Sequence, residues 1–212
     1  MKQKINRPLF VAITGDVGSG KSIVTEFFKA RKYPVWSADE AIKELYKEKK
    51  ITENLQKLFK QSIITSGRID TKILREIVFN DPNNLNKLNN YIHPLVKNKL
   101  QSFMNKRKTP CDEVAVIFEI PLLFECNMEK SFDLSILIIA DLETKIERVI
   151  NRNKCSRDDV LKILKTQMPQ EQKINKTEII IQNNNDLTTL YLQLKMLEQT
   201  LKYMKKKKLR LL

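Results

Sequence analysis

The feature that most constrains this chain is a cluster of glycines. Only four occur in 212 residues, and three of them, Gly15, Gly18 and Gly20, fall within six positions. They follow a continuous apolar run, Leu9-Phe10-Val11-Ala12-Ile13-Thr14, and belong to the string Gly15-Asp16-Val17-Gly18-Ser19-Gly20-Lys21-Ser22, a G-x-x-x-x-G-K-S pattern. The run reads as a strand buried on both faces, and Ile23, Val24, Phe27 and Phe28 then recur at helical spacing. A glycine-rich loop between strand and helix gathers backbone N–H groups at a helix N-terminus, which is a nest for anions. Gly15, Val17, Gly18, Ser19, Gly20, Lys21, Ser22 and Ile23 are therefore the expected nucleotide-phosphate site. Lys21 would reach the β- and γ-phosphates, and Ser22 would offer its hydroxyl to Mg²⁺.

Downstream the pattern alternates between strands and helices. Pro34 to Trp36, Val114 to Ile120, Leu134 to Ala140 and Ile179 to Ile181 read as strands, with amphipathic helical stretches between them and a final helix from Leu187 to Met204. Such alternation implies an α/β fold, a parallel sheet covered by helices. The exception is residues 41–110, which are helical by pattern, offer no convincing strand and are too long for a loop. They are expected to form a helical insertion that shapes a second substrate site.

Composition removes several classes of function. The longest apolar stretches fall far short of the roughly 18 residues of a membrane-spanning helix, and the start of the chain shows no signal-peptide pattern. Cys111, Cys126 and Cys155 are odd in number and widely spaced, against a disulfide framework or a zinc site and in keeping with a reducing cytoplasm. With His93 the sole histidine, metal sites that need two are excluded. The net charge of +14 suggests an anionic partner, although residues 199–212 carry six of the basic residues and no acid. The sequence carries no mark of an oligomeric state.

A phosphate loop serves motors, GTPases and kinases alike. No convincing N-K-x-D or strand-borne D-x-x-G pattern points to guanine nucleotides, so size and organisation favour a small-molecule kinase. Such an enzyme needs a carboxylate for the acceptor's proton and cations for the transferring phosphoryl group. Asp39 closes the second strand and is placed for the first role, or it caps the helix that follows. Arg148 and Arg152, at i and i+4 on one helix face, are candidates for the second role or are solvated surface.

At this point the chain resembles the dephospho-coenzyme A kinase family over nearly its whole length. Thr14 to Ser22 is similar to the family's T-G-G-I-G-S-G-K-S, and Ser37-Ala38-Asp39 to its D-A-D. Asp70, Leu74 to Phe79 and Asp81-Pro82 are similar to D-x-x-x-L-R-E-I-V-F-x-D-P, and Ile92-His93-Pro94-Leu95 to L-H-P-L. Pro121 to Glu125 resembles P-L-L-V-E, and Ser156-Arg157 with Ile163, Leu164 and Gln167 resembles the lid. The resemblance implies a P-loop kinase-type sheet, with residues 1–40, 111–147 and 174–212 as nucleotide core, 41–110 as coenzyme A-binding domain and 148–173 as lid. It implies ATP as donor, Mg²⁺, dephospho-coenzyme A as acceptor, Asp39 as general base, and catalytic Lys21 and Arg152. His93 then falls to the substrate side or is a helix-end histidine before the helix-breaking Pro94, and Arg75 meets substrate phosphate or lies on a solvated face.

Several positions depart from the family pattern. Asp16 stands for a glycine and brings a carboxylate into the anion nest, which costs affinity unless the side chain turns outward or caps local N–H groups. Ile23 stands for Thr, its N–H still able to serve a phosphate. Ser37 replaces the first Asp of D-A-D, and Gln182 an Asp. Gln170 and Lys173 stand where arginines are usual, which removes bidentate phosphate contacts. A kinase for nucleosides or nucleotides is one alternative. A nucleic-acid-binding module using the Lys205 to Lys208 run is the other, disfavoured because no aromatic stacking series accompanies it. Without nucleic acid as partner, the tail is expected to be dispensable screened surface charge.

Overall fold

A computed structural model describes residues 7–59, 62–107, 113–184 and 186–210, and of the last three only the backbone. Cys111, the chain start and the apolar end Leu209, Leu211 and Leu212 lie outside the described side chains. The chain divides into two compact units, one of residues 37–105 and one made of the segments on either side.

The larger unit is built on a five-stranded sheet. Its strands are β1 (Leu9–Thr14), β2 (Val35–Ser37), β5 (Ala115–Glu119), β6 (Leu134–Ile139) and β7 (Ile179–Gln182), in the order β2-β5-β1-β6-β7. The pairings β1·β5, β1·β6 and β6·β7 are parallel, with Leu9 opposite Ala115, Val11 opposite Leu134, and Ile136 opposite Ile179. A central parallel strand has both faces covered, which is why every residue of β1 is apolar or small and all six are buried. Leu9, Val11 and Ile13 face one core, shared with Val24, Phe27 and Phe28 of α1 (Lys21–Ala30) and Leu190, Leu194 and Leu201 of α9 (Leu187–Arg210). On the opposite face Phe10 meets Phe118 edge-on at 5.3 Å, and Phe118 meets Phe132 at 5.2 Å. The remaining helices of this unit are α6 (Leu142–Asn153), α7 (Arg157–Lys165) and α8 (Gln170–Ile174). Between α6 and α7 the chain breaks: Lys154 ends α6 in the left-handed region, and Ser156 opens α7 with a capping box to Asp159.

The smaller unit holds α2 (Ala38–Leu45), α3 (Lys49–Leu58), α4 (Thr71–Phe79) and most of α5 (Pro82–Lys106), around a core that includes Leu45, Leu55, Ile63, Leu74 and Ile92. The expectation of no strand here is corrected by a two-residue hairpin, β3 (Ile64–Thr65) and β4 (Arg68–Ile69). Ser66 and Gly67 both take positive φ at its turn, the geometry of a two-residue hairpin loop. Asp70 caps α4 by accepting from the N–H groups of Lys72 and Ile73, and Asp81 Oδ1 accepts from Asn83 N–H at the start of α5, where Pro82 needs no donor. Pro94 is also a correction. It sits inside the 25-residue α5 rather than ending a helix, so His93 is a mid-helix residue. The lost bond to the Asn90 carbonyl is borne because apolar residues on both sides of it, Leu88, Ile92 and Val96, pack into one core.

The basic tail is the third correction. Lys205 is not screened surface charge: it is 6% exposed, and its Nζ donates to the Arg7 carbonyl at 2.9 Å. Arg7 in turn forks onto Asp133, whose Oδ2 also accepts from Phe10 N–H. Among the described residues no helix is long and apolar enough to cross a membrane.

Candidate functional site

The site begins where β1 ends. Thr14 Oγ1 donates to the Pro121 carbonyl at 3.2 Å, and residues 15–20 then loop over to Lys21, the first residue of α1. Gly18 has φ +79°, and a Cβ there would lie 2.5 Å from the Lys145 carbonyl, so no other residue fits without backbone movement. Gly20, at φ +97°, would drive a Cβ into the Asn183 amide. Gly18 and Gly20 are thus required by how closely α6 and the end of β7 approach the loop.

Lys21 is buried and curls back across the loop, its Nζ donating to the carbonyls of Gly15 (2.7 Å) and Asp16 (2.8 Å). Ser22 is exposed at the helix N-terminus. The Ile23 N–H is spent inside the loop, on the Gly20 carbonyl at 3.1 Å, and Val17 N–H donates to Gln167 Oε1. Ser19 is buried, and its hydroxyl has no hydrogen-bond partner among the described residues.

Asp16 behaves differently from either sequence expectation. Its carboxylate neither turns outward nor caps local N–H groups; it accepts from Lys145 Nζ at 2.7 Å and Lys173 Nζ at 3.0 Å. Burial pushes the Asp16 carboxyl up, but hydrogen bonds and charge from the two lysines outweigh it and leave the group below its ordinary value. Lys173 is wholly buried and also pairs with Glu125 at 3.0 Å. Gln170 Oε1 accepts from Lys145, and Glu125 Oε1 accepts from Met168 N–H. The departures at 16, 170 and 173 therefore meet in one place.

Of the two arginines, the structure sets Arg148 against the loop. It is half-buried and lies 3.4 Å from both the Gly18 carbonyl and Asn183 Oδ1. Arg152 is exposed, with its Nε donating to Asn153 Oδ1. Asn183, absent from the sequence expectations, is 2% exposed and donates from Nδ2 to the Ser19 carbonyl at 2.8 Å. Its signal was its place: it follows the last residue of β7, at the carboxyl edge where open α/β sheets bind ligands. Glu119 ends β5 opposite Ile13 on the same edge, on the strand face of Ala115 and Ile117. Gln182 exchanges bonds with the Gln193 side chain, tying β7 to α9.

In the smaller unit, Asp39 is exposed in the first turn of α2, and the helix starts one residue before it with Ser37 as N-cap. Asp39 is therefore not the cap. Arg75 is exposed on α4, its charge easing a Tyr46 hydroxyl that burial pushes up to about 12. His93 is half-buried, and burial lowers its imidazole below the ordinary range. Among the described residues no three acids, cysteines or histidines cluster to hold a metal by themselves. The Ser22 hydroxyl, exposed at the start of α1, and the Glu119 carboxylate at the end of β5 are oxygens that could serve a cation brought in on nucleotide phosphates.

Comparison with known proteins agrees with this geometry. The family model for dephospho-CoA kinase matches residues 9–189. A dephospho-CoA kinase of Fusobacterium nucleatum is 35% identical over 184 residues, 86% of this chain and 93% of that one. Among solved structures, a Thermus thermophilus protein superposes with TM-score 0.75 at 32% identity, covering 92% of this chain and 98% of the other. The dephospho-CoA kinase of Campylobacter jejuni gives 0.64 at 26% identity, covering 92% and 97%. With a nucleotide-type loop on a parallel sheet and this likeness over most of its length, the chain belongs to the dephospho-CoA kinase family.

Proposed function

We propose that the protein phosphorylates the ribose 3′-hydroxyl of dephospho-coenzyme A with ATP, giving coenzyme A and ADP. The observation that carries this is the loop of residues 15–22, with Lys21 buried across it at the N-terminus of α1, in a chain of this family. The helix end and loop hold the β- and γ-phosphates, and on nucleotide binding the Lys21 ammonium exchanges its two carbonyl partners for phosphate oxygens. Arg148 adds positive charge beside Gly18. Ser22 and Glu119 would hold Mg²⁺ together with the nucleotide, and the ion would supply charge neutralisation for the transferring phosphoryl group.

The acceptor oxygen attacks the γ-phosphorus as the bond to the β–γ bridging oxygen breaks, and the hydroxyl proton passes to a carboxylate. We assign that carboxylate to Asp39, which is exposed, uncommitted to helix capping and matched to the family's D-A-D. Residues 41–110, with Arg75 and His93, are assigned to the acceptor, and residues 148–173, with Arg148 and Arg152, to a lid. The reaction belongs to the ATP-supplied cytoplasm. Incubation with ATP, Mg²⁺ and dephospho-coenzyme A, followed by mass spectrometry, tests it: coenzyme A should form, and a nucleoside preferred as acceptor would overturn it.

A further inference from the structure

Two carboxylates and two ammonium groups meet behind the phosphate loop: Asp16, Glu125, Lys145 and Lys173. Formally the four charges cancel. They come from four separate parts of the larger unit, namely the loop, the turn after β5, α6 and α8. Lys173 has no exposed surface, and Asp16 and Lys145 are each 6% exposed. A lysine so enclosed and already paired with two carboxylates is not free to serve as a cation for an arriving triphosphate. Its fixed partner is Asp16.

The Asp16 residue has a second connection. Its side chain is pinned from behind by the two lysines, while its main-chain carbonyl accepts from Lys21 Nζ at 2.8 Å and from Ser19 N–H at 3.2 Å. The position of the Asp16 peptide therefore sets where the Lys21 ammonium rests and how the loop turns. Next to it, Val17 N–H is held by Gln167, from the same segment that carries Gln170 and Lys173.

We propose that the buried Asp16–Lys173 ion pair, supported by Lys145, is a positioning device that fixes the Asp16 peptide and through it Lys21 for the donor nucleotide. Lys173 acts as the counter-ion of Asp16, not as a phosphate ligand. Two departures from the family's pattern, an acid in the loop and a lysine in α8, are then one compensated unit.

The inference rests on the reading of residues 15–22 as a nucleotide site, so the test uses ATP binding alone, by titration calorimetry without acceptor. The proteins are the parent, Asp16→Asn, Lys173→Met and the double variant, each measured well below its melting temperature. Positioning predicts that both single variants weaken ATP at least fivefold, and that the double variant binds at least fivefold better than the product of the single effects, because the two partners are coupled. A direct phosphate role for Lys173 predicts the opposite sign at the other partner: Asp16→Asn would tighten ATP by removing a nearby negative charge. Tightening overturns the proposal, as do additive effects. A purely structural role would lower the melting temperature and leave ATP affinity unchanged, which also overturns it. Should Asp16→Asn fail to fold, Lys145→Gln, which leaves Lys173 on Asp16, is the milder probe, with weakened ATP in favour and unchanged affinity against. A parent that binds no ATP would sink the site reading as well, whereas ATP binding without coenzyme A formation would sink only the acceptor assignment.

Discussion

Asn183 closes the gap between the end of β7 and the phosphate loop, donating its amide to the carbonyl of Ser19 at 2.8 Å while its oxygen faces Arg148. One side chain thus fixes a loop carbonyl and orients the arginine beside it. Asn183→Ala leaves a buried carbonyl unpaired, a cost of about 1 to 3 kcal/mol. The expected result is a lower melting temperature with ATP binding weakened by about tenfold, measured by calorimetry. Unchanged affinity would mean that the loop holds its shape without this bond.

Lys21→Met removes the ammonium that spans Gly15 and Asp16 in the free loop and that the phosphates would take over. Turnover is expected to fall by about a hundredfold or more, as for loss of other preorganised charges at a phosphoryl group. Steady-state kinetics on a variant shown by circular dichroism to be folded checks this.

Asp39→Asn should separate catalysis from folding. Because Ser37 is the N-cap and Asp39 is exposed, the melting temperature should stay within about 2 °C. The amide cannot take a proton, so kcat should fall by about 10² to 10⁴ with ATP affinity little changed. Equal kcat in parent and variant would remove Asp39 from the base role.

His93 is the sole histidine, so its titration is a single NMR resonance. Burial disfavours the imidazolium, and the midpoint is expected below the ordinary value of about 6.5. Above that value both folded and unfolded chains carry neutral imidazole, and no cost arises. As pH falls through it the unfolded chain takes the proton first, so stability drops until the folded form is protonated too. The melting temperature should therefore fall more from pH 7.5 to pH 5 in the parent than in His93→Gln.

Lys205→Met should lower the melting temperature by about 2 to 4 °C, the effect of about 1 kcal/mol lost with the bond to the Arg7 carbonyl. Deleting residues 208–212, which leaves that bond in place, should change it by less than about 2 °C.

Much of this was legible in the sequence. The β1 run, the glycine spacing and the Phe27-Phe28 face of α1 follow from local periodicity, and local signals are what sequence shows well. The Ser66-Gly67 hairpin was not legible, because only Gly67 of its turn residues favours positive φ and two-residue strands give too short an alternation to register. The environment of Asp16 was not legible, because its partners lie 129 and 157 residues away in sequence. Lys173 reads as a surface lysine by type, and only the fold shows it buried among carboxylates. Arg148 and Arg152 share a helix face by spacing, yet four residues along α6 carry the second one out to solvent.

The central claim is tested most directly by identifying the product. Purified protein is incubated with ATP, Mg²⁺ and dephospho-coenzyme A, beside parallel reactions containing nucleosides or nucleoside monophosphates, and the products are resolved by mass spectrometry. The account predicts that dephospho-coenzyme A gains one phosphoryl group, located on the ribose 3′-oxygen by fragmentation, and that Lys21→Met abolishes the gain. ATP consumption with no phosphorylated coenzyme A, or faster transfer to a nucleoside, would contradict it.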